Sequence, residues 1–137
     1  MSDELKEWIE KELTLEDTSQ ILDEVKDKVK QLIRITKDGN FKTIPSGLTD
    51  KDVCYLYFVA RAYSFKAGYV ESDEVKNEDL KAGLKKINPP SIDTYIAEMR
   101  KDGLIEQVRT GVHTINYLRM SSGLEEISSK LGGNNVS

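Results

Sequence analysis

The sequence predicts a mainly helical fold with a small amount of β structure. Three observations carry that expectation. Apolar residues recur at helical spacing through most of the 137-residue chain. The spacing changes to a two-residue alternation around 33–44 and 104–118. Each change is centred on a glycine-containing turn, Lys37-Asp38-Gly39-Asn40 or Arg109-Thr110-Gly111.

The elements follow in order. Leu5, Trp8, Ile9 and Leu13 share one face of a short helix over 3–13, whose positive amino end suits Asp3 and Glu4. Residues 14–19 form a polar break. A second helix runs to about Leu32 on Ile21, Leu22, Val25, Val29, Leu32 and Ile33. Its stripe has two readings. It is an amphipathic face packed on its own domain, or it is the seam of a dimeric coiled coil. In the second case Leu15, Leu22, Val25, Val29 and Leu32 take a and d positions, with Thr18 as a poor d residue. A hairpin over 33–36 and 41–44 follows, punctuated by Pro45, Ser46 and Gly47.

Thr49 caps the next and most hydrophobic helix, with Asp52 as a short version of the capping-box partner. Val53, Leu56, Tyr57, Val59, Ala60 and Tyr63 form its broad apolar face, and Gly68 is its C′ residue. Residues 69–76 are a loop with room for a short strand. Asn77 caps a short helix that buries Leu80 and Leu84, and Asn88-Pro89-Pro90 ends it. Pro90 suits the first turn of the following helix, which buries Ile92, Tyr95 or Ile96, and Met99, and stops at Gly103. Strands over 104–108 and 112–118 flank the Arg109-Thr110-Gly111 turn. Ser121 or Ser122 then caps a last helix on Leu124, Ile127 and Leu131, and residues 132–137 are expected to fray into a disordered tail. Leu56, Val59, Leu80, Leu84, Ile92, Ile96, Met99, Leu104 and Leu118 are expected to share one core.

Composition sets the limits. Leu, Ile, Val and Phe make up 36 of the 137 residues, enough for a core without disulfides. The chain is too short for a TIM barrel. Its single cysteine, Cys54, excludes a disulfide-stapled scaffold, and its acidic start lacks the basic and apolar regions of a secretory signal. These features lead to the expectation of a soluble, cytoplasmic protein with no membrane partner. Net charge is −4, but it is uneven. Residues 1–75 hold 11 basic and 16 acidic side chains, residues 76–119 hold 8 and 6, and residues 120–137 hold 1 and 2. Only the middle segment is net positive.

From Thr49 onward the order is helix, helix, turn, helix, hairpin, helix. Met99-Arg100-Lys101-Asp102-Gly103-Leu104-Ile105 resembles the junction at which winged-helix regulators leave the recognition helix for the first wing strand. Tyr117-Leu118 before Ser121-Ser122-Gly123 resembles the exit from the second. Residues 49–131 thus resemble the winged helix-turn-helix superfamily, and within it small prokaryotic regulators of an archaeal type. Residues 1–48, two helices and a hairpin, fall outside the resemblance. They are read as a dimerisation or bracing extension, with residues 1–34 as the route to a homodimer.

The resemblance implies a recognition helix at about 90–102 in the major groove of double-stranded DNA. It also implies a wing at about 109–114 against backbone or minor groove. Ser91, Asp93, Thr94 and Ala97 would then face base edges. Lys81, Lys85 and Lys86 on the first helix of the motif, Arg100 and Lys101 at the end of the second, and Arg109 and His113 on the wing would contact phosphates. The acids Asp93 and Glu98 on the exposed face support a second reading. In it the same fold binds another protein and not DNA.

Enzymatic chemistry is not expected. One His and one Cys cannot supply an ordinary zinc set, no phosphate-binding loop occurs, and no cofactor is implied. Cys54 reads as a small buried hydrophobe.

Overall fold

A computed structural model of the chain describes residues 3–10 and 18–135. Leu13, Leu15, the break over 14–17 and residues 136 and 137 lie outside the described residues. The order is α1 (Asp3–Trp8), α2 (Ser19–Glu24), α3 (Lys26–Leu32), β1 (Ile33–Ile35), β2 (Phe41–Thr43), α4 (Asp50–Lys66), β3 (Val75–Lys76), α5 (Asn77–Gly83), α6 (Pro89–Lys101), β4 (Ile105–Arg109), β5 (Val112–Ile115) and α7 (Met120–Asn135). A 3₁₀ turn over Tyr117–Arg119 precedes α7. The fold is mainly helical with two small antiparallel sheets, as the sequence predicts.

α4 is the axis of the molecule. Its start is fixed by a complete capping box: the Asp52 amide donates to Thr49 Oγ1 and the Thr49 amide to Asp52 Oδ2, both at 3.1 Å. The short Asp side chain thus reaches as far as the usual Glu. Lys130 of α7 sits 2.9 Å from the same carboxylate, so the cap also anchors the last helix. Leu56 and Val59 are fully buried, and Leu80, Ile92, Met99, Ile105, Met120 and Leu124 join them in one cluster. Each such side chain contributes about 1.5–3 kcal/mol through burial.

The amino-terminal stripe goes into that same core. Leu22, Val25, Val29 and Leu32 are buried against the rest of the chain, so the described part of the heptad seam is covered from within. The helix carrying them is not continuous. Val25 leaves helical geometry at φ −104°, and the Tyr63 hydroxyl donates to the Leu22 carbonyl, the group that Lys26 N–H would otherwise take. A side chain entering the i→i−4 ladder is a recognised cause of a break.

The first sheet pairs β1 with β2, with Arg34 opposite Lys42. The second has the order β3-β5-β4, with β5 in the middle. Val75 lies opposite His113 on one side of β5, and Gln107 lies opposite His113 on the other. Gly103 and Gly111 take positive φ, 78° and 77°, which permits the sharp exit from α6 and the tight β4–β5 turn.

Several sequence expectations are corrected. Leu118 is 74% exposed, because the second strand ends at Ile115 and the 3₁₀ turn directs Leu118 outward while Met120 enters the core. Leu84 and Leu104 are only half-buried against the core. Asn77 is the first residue of α5 and not its cap, a position held by Lys76. Neither Ser121 nor Ser122 caps α7. The helix grows out of the 3₁₀ turn, and Ser122 donates to the Arg119 carbonyl at 3.0 Å. α7 extends through Asn135.

Candidate nucleic-acid interface

α6 is the helix on which the candidate interface depends. Two prolines open it, where their missing N–H groups cost nothing, and Arg100 and Lys101 occupy its negative last turn. Ile92, Ile96 and Met99 turn inward and are 0–4% exposed. Helical spacing therefore places Pro90, Thr94, Ala97 and Lys101 along the opposite, solvent-facing line, and all four are exposed. Asp93 and Arg100 flank that line on one side, with Ser91, Glu98 and Asp102 on the other. Ser91 is half-buried, and its amide donates to the Asn88 carbonyl. Thr94 Oγ1 donates to the Pro90 carbonyl at 3.2 Å.

The basic residues divide into three groups. Lys85, Lys86 and Lys101 are exposed and belong to no ion pair among the described residues. Lys85 and Lys86 sit in the turn between α5 and α6 and not on a helix, since α5 ends at Gly83. Lys81, Arg109 and Arg100 are engaged. Lys81 pairs with Asp93 at 2.9 Å, joining α5 to α6. Arg109, the last residue of β4, pairs with Glu74 at 2.9 Å. Arg100 donates to Gln107 Oε1 at 2.9 Å.

His113 forms the third group and corrects the expectation of a wing side chain facing a phosphate. It is 2% exposed, because β3 covers the side of β5 that a two-stranded wing would leave open. Its Nδ1 lies 3.2 Å from Asn77 Oδ1, and its Nε2 is buried without a hydrogen-bond partner. Burial first, and then the Arg100 charge, hold its pKa below the ordinary imidazole value. Cys54 is equally withdrawn: burial, aided by Asp50, pushes its thiol up to about 12. At neutral pH it is neither thiolate nor accessible. Among the described residues, no group of three His, Cys, Asp or Glu side chains could hold a metal ion.

Lys51 was invisible to the sequence reading. It lies in the first turn of α4, remote in sequence from the basic segment, yet reaches Glu98 at 3.3 Å and Asp102 at 3.5 Å. Partial burial works against its charge, but the two carboxylates outweigh that and raise its pKa. Glu74 was likewise missed, because a two-residue strand beside the hairpin gives no periodic signal.

The candidate surface thus has a free stripe on α6, a free lysine pair before it, and basic residues beside it that are already matched to acids. None of the described helices is long and apolar enough to cross a membrane. No family model, curated protein or solved structure matches the chain.

Proposed function

We propose that residues 49–131 form a winged helix-turn-helix that binds double-stranded DNA as a cytoplasmic transcriptional regulator, without enzymatic activity. In this reading α6 enters the major groove, Thr94 and Ala97 face base edges, and Lys85 and Lys86 at its amino end and Lys101 at its carboxyl end meet phosphates. The turn at Thr110-Gly111 serves as a short wing. The observation that carries the reading is the strand order β3-β5-β4 around α4, α5 and α6. The short strand between the first two helices closes on the returning wing strand, which leaves the far side of α6 free.

The test is a mobility shift on random-sequence duplex DNA. Binding should be present at about 50 mM salt and fall steeply by about 200 mM, because released counterions drive phosphate binding. Replacing Lys85, Lys86 and Lys101 together by Ala should shrink the salt slope by about 0.9 per lost contact. Asp93→Asn should strengthen nonspecific binding, since it removes a carboxylate from the interface and releases Lys81.

A second reading, a winged-helix module that binds a protein, has one specific observation in its favour. Lys51, Lys81 and Arg109 are each neutralised by acids on or beside the candidate surface. Absence of any shift at about 50 mM salt decides for this reading, because phosphate contacts are strongest at low salt.

A further inference from the structure

The β1–β2 hairpin has an open edge beside a groove. Thr36 N–H donates to the Asn40 carbonyl and Ile44 N–H to the Leu32 carbonyl. With the register Ile33↔Thr43, Arg34↔Lys42 and Ile35↔Phe41, hydrogen-bonded pairs alternate with open ones. Phe41 and Thr43 fall in the open pairs. Their N–H and C=O groups therefore point away from β1, and neither has a hydrogen-bond partner among the described residues.

Beyond that edge lie two adjoining hollows of about 520 and 580 Å³. Both are lined by Asn40, Thr43, Val53, Gly83 and Leu84, so they form one groove. Tyr57 lies at one end, with its ring against Gly83, where a Cβ would come within 2.9 Å of it. Lys42, Lys85 and Lys86 line the groove, all exposed and all without an ion pair among the described residues, against a single acid, Asp50.

We propose that this groove takes an extended acidic peptide segment of a partner protein, added as a third strand on the free edge of β2. Such a strand would lie about 4.8 Å beyond β2, above Val53 and Tyr57. Its side chains alternate. Apolar ones descend onto Val53, Tyr57 and Leu84. The acidic ones between them stand on the face that carries Lys42, where opposite charges on neighbouring strands attract. The occupant is a peptide because the edge offers both donors and acceptors. A phosphodiester backbone has only acceptors and would leave the Phe41 and Thr43 carbonyls unmatched. A second copy of this chain is disfavoured, because two-fold pairing of β2 with β2 sets Lys42 against Lys42.

The probe is a capped, fluorescein-labelled hexapeptide alternating Val and Glu, compared with its Val and Lys counterpart on the full chain. The acidic peptide should bind at least about tenfold more tightly. It should also shift the backbone amide resonances of Phe41 and Thr43. Thr43→Pro removes an outward N–H that β1 does not use, so the hairpin is retained while binding falls at least about tenfold. Should that variant fail to fold, a peptide with alternate backbone nitrogens methylated tests the same hydrogen bonds on the unaltered protein and should bind equally poorly. Lys42→Glu should abolish the charge preference, since two lysines then face two acids. Lys85 and Lys86 belong also to the proposed DNA surface and are left unchanged, so this test and the DNA test fail separately. Equal binding of the two peptides, undiminished binding of the methylated peptide, or resonance shifts confined to α6 would overturn the proposal. So would self-association that Thr43→Pro abolishes, for the edge would then belong to a second copy.

Discussion

His113 stands neutral in the middle of the second sheet, because burial and then Arg100 oppose its cation. Its folded-state pKa lies below the unfolded value of 6.5, so the folded chain binds fewer protons. Stability from this group is complete above that unfolded value and is lost as pH falls through it towards the lower folded value. Melting temperature should drop between pH 7.5 and pH 5, and the drop should be smaller in His113→Gln. An equal drop in both proteins would assign the acid sensitivity elsewhere. A second residue-scale feature is Gly123, which lies inside α7 where helix propensity alone would favour Ala. A Cβ there would stand 2.5 Å from the Tyr55 hydroxyl, which is buried without a partner. Gly123→Ala should therefore destabilise by about 1–3 kcal/mol, despite the better propensity. Tyr55→Phe removes the unmatched hydroxyl and with it the nearest obstructing atom, leaving ring carbons at 2.8 and 3.0 Å, and should itself be neutral or stabilising. In denaturant unfolding the double variant should recover part of the Gly123→Ala loss. Additive effects would show that the two positions do not compete for the same space.

At the scale of elements, α4 and α6 were legible because each combines a long 3.6-residue period with a clear start and stop. Thr49 with Asp52 and Gly68 bound one, and the prolines and Gly103 bound the other. The interruption at Val25 was not legible. It depends on the Tyr63 hydroxyl, which is 41 positions away in sequence. The burial of His113 was hidden for a related reason. Alternation along 112–118 is a sound signal for a two-stranded hairpin, but the two residues of β3 convert β5 into a central strand and cover its second side. The candidate interface was half readable. The inward triad of α6 fixed its outward stripe, whereas the ion pairs of Lys51, Lys81 and Arg109 needed long-range placement. The capping box yields a prediction at this scale. Thr49→Ala should cost about 1 kcal/mol, measured by chemical denaturation. Asp52→Ala should cost more, because it also strips the carboxylate from Lys130 and loosens α7. An Asp52→Ala cost no larger than that of Thr49→Ala would mean the tie between α4 and α7 contributes nothing.

Across the whole molecule, the segment outside the winged-helix resemblance shares the core with the rest. α3 packs against α7, Lys28 pairs with Glu125, and Leu22, Val25, Val29 and Leu32 lie in the same buried cluster as Leu56 and Leu124. Removing residues 1–32 would uncover that cluster. A domain of this size has about 5–15 kcal/mol of net stability, and each buried aliphatic side chain contributes about 1.5–3 kcal/mol. The truncated chain should therefore lose cooperative melting or aggregate. Removing residues 1–10 alone is a different experiment, because none of the residues of α1 is buried and Trp8 is 52% exposed. That deletion should leave the melting temperature within a few degrees of the full chain. If residues 1–34 join two copies, α1 is the candidate for the pairing among the described residues, since the α2 and α3 stripe is already covered. Solution mass should then fall from dimer to monomer on removing residues 1–10. A full chain that is monomeric before and after would end the homodimer proposal. An unchanged, cooperative melt after removal of residues 1–32 would show that the shared core does not depend on the amino-terminal helices.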